Sequence, residues 1–468
     1  MNPKKVIVIG GGPGGYVAAI RAAQLGAKVT LVEKDEICGT CLNRGCIPTK
    51  SLLHDVKLLR SIRRSSIFQS LLQGEFDPLA SMMERKEKVV HEIVKGVEML
   101  LESHGVTVKS ARAELLDPHQ VVLLYGGEEK EIIEGDAIIL APGSKSKGLT
   151  GISPDGDRII TSDDALRTKK IPSEIVIIGG GYIGVEFATI FTTLGSKVTI
   201  VEILDTILPG LEGELVRNLQ RILEKDSVRV LTQSIIENIV PFGEAFKLTV
   251  KTRQGIQEVT ADKLLVAVGR TPNLDLNFGK AGVEVTSVGV RVNHRMETTA
   301  PNIYAIGDAT GGVMLAHVAM EEGVIAAENI MGMAREKENQ LIPLCIFTYP
   351  EIASIGLTEK EAKASGEIKI GRFPFRSNPK AVISGETEGL IKVVVDRKTD
   401  KILGVHIIGH EASTLISIAS SLMRQGMTFK EFSRIMQAHP TSSEALKEAF
   451  LDADGMAIHL LKPLRQKA

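Results

Sequence analysis

The chain has 468 residues, too many for one ordinary domain and about three by the usual size of an independently folding unit. Hydrophobic residues make up 43% and charged residues 24%, the balance of a globular protein with several cores and not of a disordered or collagenous one. A formal net charge of -1 argues against a polybasic surface for nucleic acid or an anionic membrane, and nowhere do about 18 uninterrupted apolar residues suggest a membrane span, so a cytoplasmic location is expected.

Taken in chain order, the first predicted element is Val6–Ile9, a short β-branched run that reads as a strand buried on both faces. Glycines follow at Gly10, Gly12 and Gly15, then a small-residue helix ending near Leu25-Gly26, then a strand over Lys28–Val32 that stops at Glu33. This is the G-x-G-x-x-G dinucleotide fingerprint in full context. The first glycine makes the tight turn, the second lets backbone amides approach a pyrophosphate, and the third lets the helix pack closely on the strand. The helix start offers unpaired N–H groups to the phosphates, and Glu33 can accept hydrogen bonds from an adenosine ribose. Residues 50–101 are predicted mostly helical, and Ala137–Leu140 reads as another buried strand, ended by the turn at Pro142-Gly143-Ser144.

The pattern then returns. Val6–Glu33 and Ile175–Glu202 align without a gap at an offset of 169 residues, with thirteen of 28 positions identical. Gly179, Gly181, Gly184 and Glu202 repeat the first fingerprint, and two fingerprints imply two dinucleotides. A carboxylate at Glu202 would repel a 2′-phosphate, and Ile203 to Leu211 holds no Arg or Lys to receive one, so NAD is favoured over NADP. A further strand and turn, Leu264 to Asn273 with Gly269 at the bend, brackets the second copy from behind, so that copy reads as inserted into the first domain. Past Leu341 the pattern changes to short alternating strands and helices, for example over Gly389–Asp396. The expectation is an α/β chain with two Rossmann-like dinucleotide-binding domains, the second inserted in the first, and a separate C-terminal α+β domain. Its boundaries are 1–148, 149–269, a central segment 270–340 that completes the first site, and 341–468.

Three of the four cysteines, Cys38, Cys41 and Cys46, fall in the loop after the first fingerprint. In a reducing compartment such a cluster points to redox catalysis or to a metal. Cys41 can pair with Cys46 or with Cys38. Residues five apart on a regular helix lie beyond disulfide reach, so a Cys41–Cys46 bridge requires an irregular turn, which Gly45 and Pro48 can supply. Zinc needs a fourth ligand, and the nearest, His54, has no partner motif; no metal is expected.

The run Gly39-Thr40-Cys41-Leu42-Asn43-Arg44-Gly45-Cys46-Ile47-Pro48-Thr49-Lys50 resembles the active-site segment of the flavin disulfide reductases, a family that includes dihydrolipoamide dehydrogenases, glutathione reductases and mercuric reductases. The resemblance spans both fingerprints, Val268–Asn273, Asn302–Asp308, Tyr349–Glu359 and His439–Glu444. It implies FAD and NAD as cofactors, a Cys41–Cys46 redox disulfide with Cys41 exchanging with substrate and Cys46 against the flavin, and Lys50 near the flavin N5, paired with Glu186. It implies that Asp308 bonds the ribityl chain, that Gly143 and Gly269 line the cofactor sites at the two strand exits, and that a helix start at Ala316-His317 meets the flavin through backbone N–H groups. Tyr182, next to Gly181, would cover the nicotinamide pocket. His439, oriented by Glu444, would be the general base that a mostly protonated substrate dithiol needs near neutral pH. The remaining nine histidines are read as structural.

The implied activity is oxidation of protein-bound dihydrolipoamide, with a homodimer as the assembly and lipoyl-bearing domains, or the acyltransferase component of a 2-oxo acid dehydrogenase complex or of the glycine cleavage system, as partners. The alternative is a related NAD(P)H-dependent reductase of another small disulfide. Residues 460–468 lack the cysteine pair of mercuric reductases, and no arginines follow the second fingerprint as in glutathione reductases; soluble transhydrogenases lack the C-x4-C pair. One departure stands out: the family usually has Gly where this chain has Cys38, which is read as a spectator.

Overall fold

The computed structural model describes residues 3–65, 67–68, 77–126, 129–338 and 341–461. The chain divides into two compact units, each gathered from three stretches: Met1–Leu52 with Pro78–Lys169 and Val268–Gln340, and Leu53–Asp77 with Lys170–Ala267 and Leu341–Ala468.

The first unit is built on a parallel five-stranded sheet in the order Ile303–Ala305, Ala137–Leu140, Lys5–Ile9, Lys28–Glu33, Thr107–Ser110. Alternation of side chains explains why its strands are apolar throughout. Val6, Val8, Val29, Leu31, Ala137 and Ile139 face one core, beneath the helices Pro13–Gln24 and Ala316–Ile330. Ile7, Ile9, Val32, Ile138 and Leu140 face a second core, shared with the antiparallel strands Arg112–Leu115 and Gln120–Tyr125. A sheet covered on both faces has no polar side to keep. The predicted helical stretch 50–101 resolves into Cys46–Arg64 and Leu79–Ser103, with residue 66 and residues 69–76 outside the described residues.

Strand Ser144–Ser146 pairs antiparallel with Arg270–Pro272, so the chain leaves the first unit and returns to it side by side. Between those strands lies the second fingerprint, whose sheet runs Arg229–Leu231, Lys197–Val201, Glu174–Ile178, Lys263–Val266, all parallel. The same unit contains the C-terminal antiparallel sheet, ordered Leu344–Ile346, Glu351–Gly356, Ile402–Gly409, Leu390–Asp396, Ile368–Pro374. Its core packs Ile391, Val393, Val395, Val405 and Ile407 against Leu415, Ile416 and Ala419 of helix Ala412–Arg424 and Leu446 and Phe450 of helix Ser443–Asp452. The architecture is therefore two Rossmann-like folds, one inserted in the other along the chain, and an α+β C-terminal fold. No helix among the described residues is long and apolar enough to cross a membrane.

Candidate active site

The glycines of each fingerprint do different physical work. Gly10 and Gly179 sit at φ +103 and +106, a region open to glycine but strained for other residues. A Cβ on Gly15 would lie 1.9 Å from the Gly10 carbonyl oxygen, and one on Gly184 would lie 2.1 Å from that of Gly179, so these positions are closed by helix-to-strand packing. Gly12 and Gly181 meet nothing within 4 Å, and they are the N-caps of helices Pro13–Gln24 and Tyr182–Thr193. Neither cap offers a side-chain acceptor and neither first turn carries an acid. The same holds where helix Ala316–Ile330 begins at Ala316. Three uncapped, acid-free helix starts fit dinucleotide phosphates, which supply the acceptors such N–H groups require.

The two acids are fixed alike. Glu33 Oε2 accepts the Gly11 N–H at 2.7 Å and its Oε1 accepts that of Asp35 at 2.9 Å; Glu202 Oε2 accepts the Gly180 N–H at 2.6 Å and its Oε1 that of Leu204 at 2.8 Å. A carboxylate with two oxygens has lone pairs beyond these bonds for a ribose. Gly11 and Gly180 are thus part of the cradle, a role the fingerprint spacing did not single out. Tyr182 is the first residue of its helix and is 38% exposed.

The cysteine segment shows how a C-x4-C pair comes together. Helix Gly39–Arg44 stops at Gly45, with φ -143 and ψ -110, and a second helix starts at once with Cys46. The break folds Cys46 back on Cys41, whose side chain is hydrogen-bonded to Cys46. Glycine is required at the break because a Cβ at Gly45 would lie 2.9 Å from the Thr40 carbonyl oxygen and 3.3 Å from Cys41 Cα. Pro48 falls in the first turn of the second helix, where a missing N–H costs nothing, so Gly45 alone makes the distortion. The Cys41 thiol is pushed up, first by its bond to Cys46, then by burial, with the Lys50 ammonium pulling the other way. Cys38 is wholly buried at φ +74, the left-handed region in which glycine is at ease. Burial, then the Glu98 and Glu33 carboxylates, push its thiol up to about 12.

Asp308, in the turn Gly307–Thr310, accepts a hydrogen bond from Ser144 Oγ. Ser144 in turn accepts from Arg270 through both its hydroxyl and its carbonyl, each at 2.7 Å. Ser144 and Arg270 were not anticipated as site residues, since their bonds span 126 and 164 positions and leave no local signature. Gly143 has φ +68, and Asn273 donates to its carbonyl; Gly269 has φ +106, and Lys147 donates to its carbonyl.

In the second unit, Glu186 is buried and accepts the Phe347 N–H at 3.0 Å. His439 places Nδ1 2.9 Å from Glu444 Oε1, with the imidazole largely exposed. Burial works to raise Glu444, but the Thr441 N–H and His439 prevail and hold its carboxyl below the usual carboxylate range. His317 is the second residue of its helix, consistent with a backbone role there.

Residues 4–323 match the family model "Pyridine nucleotide-disulphide oxidoreductase", and residues 342–450 match that family's dimerisation domain. A dihydrolipoyl dehydrogenase of Bacillus subtilis is 41% identical over 97% of this chain and 99% of its own length. A mitochondrial dihydrolipoyl dehydrogenase of Pisum sativum is 38% identical over 97% and 92%. Among solved structures, LpdA of Mycobacterium tuberculosis gives a TM-score of 0.88 at 26% identity, covering 96% of this chain and 99% of that one. The HOCl-induced flavoprotein disulfide reductase RclA of Escherichia coli, solved with Cu(II), gives 0.86 at 28% over the same shares. The chain belongs to the pyridine nucleotide-disulphide oxidoreductase family.

Proposed function

We propose that the chain oxidises dihydrolipoamide to lipoamide with NAD+, the reaction of a dihydrolipoyl dehydrogenase, at a Cys41–Cys46 redox pair. The observation that carries this reading is the Gly45 break, which sets the two sulfurs in contact on a segment that leads directly from the first nucleotide cradle. Its likeness, along nearly its whole length, to dihydrolipoyl dehydrogenases supports the substrate.

In the proposed cycle His439 takes the proton from one substrate thiol, and Glu444 stabilises the imidazolium. The thiolate attacks Cys41 Sγ of the oxidised pair; the Cys41–Cys46 bond breaks and Cys46 leaves as a thiolate. The second substrate thiol then attacks the first sulfur, its proton passing to the departing Cys41 sulfur, which closes the cyclic disulfide and releases Cys41. FAD bound at the first fingerprint would carry the two electrons of the reduced pair as hydride to NAD+ at the second. Lys50, Gly143, Asp308 and Ala316 would hold FAD, with Gly10, Gly12, Gly15 and Glu33. Gly179, Gly181, Gly184, Glu202, Tyr182, Glu186 and Gly269 would serve the nicotinamide site. Lys50 lowers the cost of a thiolate at Cys41, as exchange demands.

The dimerisation-domain match supports a homodimer, in which the His439–Glu444 pair would serve the exchange site of the partner subunit, and lipoyl-bearing carrier domains in a cytoplasmic complex are the proposed partners. The domain division proposed is 1–148 for FAD, 149–269 for NAD, 270–340 completing the FAD site and 341–468 for the interface. The structural likeness to RclA favours a second reading, an NAD(P)H-dependent reductase of another disulfide. NAD+ reduction with dihydrolipoamide, beside reduced glutathione and beside NADP+, separates them: rapid turnover only with dihydrolipoamide and NAD+ is expected, and no turnover with that pair would end the first reading.

A further inference from the structure

Helix Ser443–Asp452 begins one residue before Glu444, so whatever fixes its start also fixes the carboxylate that holds His439. Two part-buried contacts from elsewhere in the same unit do this. Asn378 donates Nδ2 to the Thr441 carbonyl at 3.1 Å, and Ser442 donates its hydroxyl to Glu411 Oε2 at 2.7 Å. Thr441 in turn gives its N–H to Glu444 Oε2.

Glu411 is unusual in its backbone. It has φ 55 and ψ 28 at the start of helix Ala412–Arg424, a left-handed conformation that costs a residue with a Cβ about 1–2 kcal/mol. A strained residue whose side chain does nothing would be replaced without loss by glycine; here the side chain reaches the base-bearing loop. Behind Glu411 stands His410, 7% exposed. Its Nδ1 lies 2.8 Å from Glu386 Oε2, and its buried Nε2 has no hydrogen-bond partner but lies 3.6 Å from Glu411 Oε1. Lys57 Nζ lies 3.3 Å from the Glu386 carboxylate. Burial opposes the charge on Glu386, while His410 and Lys57 hold its carboxyl below the usual range. A ring flanked by two carboxylates is oriented by both, so the row Lys57, Glu386, His410, Glu411, Ser442 ends on the loop that carries His439 and Glu444.

We propose that Glu411, braced by His410 and Glu386, is a positioning residue for the His439–Glu444 base. It touches no reacting atom; it sets the angle at which Ser442 delivers Glu444 to the imidazole. The inference rests on the reading of His439 as the base.

The test compares Glu411→Ala, Glu411→Gln and Ser442→Ala holoenzyme with the parent in two reactions. One is NAD+ reduction by dihydrolipoamide across a pH series, which needs the base. The other is NADH oxidation by ferricyanide, which needs no thiol exchange. A misaligned base typically costs about 10–100-fold; Glu411→Ala is expected to lose that much in kcat/KM for dihydrolipoamide, more through kcat than KM, and to displace the limb of the pH profile that reports the base. Glu411→Gln, which keeps an acceptor for Ser442, should recover part of the loss, Ser442→Ala should reproduce it, and ferricyanide turnover should be unchanged. An unaltered profile in Glu411→Ala, or equal losses in both reactions, overturns the proposal; if Glu411→Ala does not fold, Ser442→Ala decides alone. His439→Gln is the separate control. Full dithiol turnover in that variant removes the base itself, whereas its inactivity beside a normal Glu411→Ala removes only the positioning role.

Discussion

The two fingerprint copies are alike where a nucleotide would touch them and different where their neighbours touch them. Gly10 and Gly179 share a positive φ, Gly12 and Gly181 are the same open caps, and Glu33 and Glu202 bind equivalent glycine N–H groups. At the position before the third fingerprint glycine, the first copy has Gly14 and the second Ile183. A Cβ on Gly14 would lie 2.9 Å from the Ala319 carbonyl oxygen, and one on Gly323 would lie 2.5 Å from that of Gly14, because helix Ala316–Ile330 crosses there. Ile183 meets no such constraint. The exits differ too: beyond Glu33 the chain enters the dithiol helix, whereas beyond Glu202 it loops to Glu212. A glycine in a motif therefore reports on a ligand in one place and on a second helix in another, and only the structure separates the two.

The largest effect should come from the first exit. Cys41→Ser removes the sulfur that the substrate thiolate attacks, and loss of the residue that forms the covalent intermediate costs about 10³-fold or more. Dihydrolipoamide turnover should fall by that factor, with the flavin still bound and ferricyanide reduction by NADH retained. Dithiol turnover near the parental rate would take the exchange reaction away from this segment and erase the distinction between the exits.

The second exit is anchored by charge. Lys392 is 1% exposed, and its Nζ lies 2.8 Å from Glu212, 3.0 Å from Glu214 and 2.6 Å from Glu359. These three carboxylates form the only candidate metal cluster among the described residues, and an ammonium already stands among them. Lys392→Met leaves them uncompensated, at a cost of about 3–5 kcal/mol. The Glu359 carboxyl, bonded to Lys363 and Lys392, is held down to about 2 from an ordinary 4.5. A carboxyl depressed on folding stabilises above its unfolded value and ceases to do so as pH falls through the folded one. The deficit of Lys392→Met in denaturant unfolding should thus be full at neutral pH and narrow on acidification from 4.5 toward 2. A deficit independent of pH would mean that packing, not charge, holds this exit.

A smaller and more discriminating pair tests the shared part. Gly15→Ala and Gly184→Ala each drive a methyl into a backbone carbonyl, a steric cost of about 1–3 kcal/mol. Equal chemistry should give unequal symptoms. Gly15→Ala should weaken flavin retention, while Gly184→Ala keeps the flavin and raises the KM for NAD+ by about 10-fold, or ~1.4 kcal/mol. Flavin loss from Gly184→Ala would reverse the assignment of the two cradles.

How much of this was legible in the sequence depended on range. The fingerprints, both exits and the C-x4-C pair are local patterns, in which residue type and spacing fix geometry through the chain itself. The need for an irregular turn between Cys41 and Cys46 was legible, but its seat at Gly45 alone, with Pro48 innocent, depended on where the second helix starts. Ser144, Arg270, Asn378 and Glu411 were invisible because their partners lie 31 to 164 residues away. His410 was read as structural with the other spare histidines; its place between Glu386 and its own chain neighbour Glu411 comes from the end of strand Ile402–Gly409 meeting the separate loop that carries Glu386.

The smallest effect concerns Cys38, the residue just before the dithiol helix, where the backbone of the first exit is left-handed. At φ +74, replacing Cys38 with glycine relieves backbone strain of about 1 kcal/mol. The side chain is wholly buried with Leu42 and Leu101, however, and deleting it opens a cavity of similar cost, about 1–2 kcal/mol. With the two terms nearly cancelling, Cys38→Gly should shift the thermal midpoint by no more than about 3 °C and leave turnover unaltered. A thiol pushed up to about 12 has almost no thiolate at neutral pH, so alkylation of the reduced native enzyme should bypass Cys38. Lost turnover in Cys38→Gly at an unchanged thermal midpoint would instead make the exit a three-sulfur site, and the contrast between the two copies would widen by one working residue.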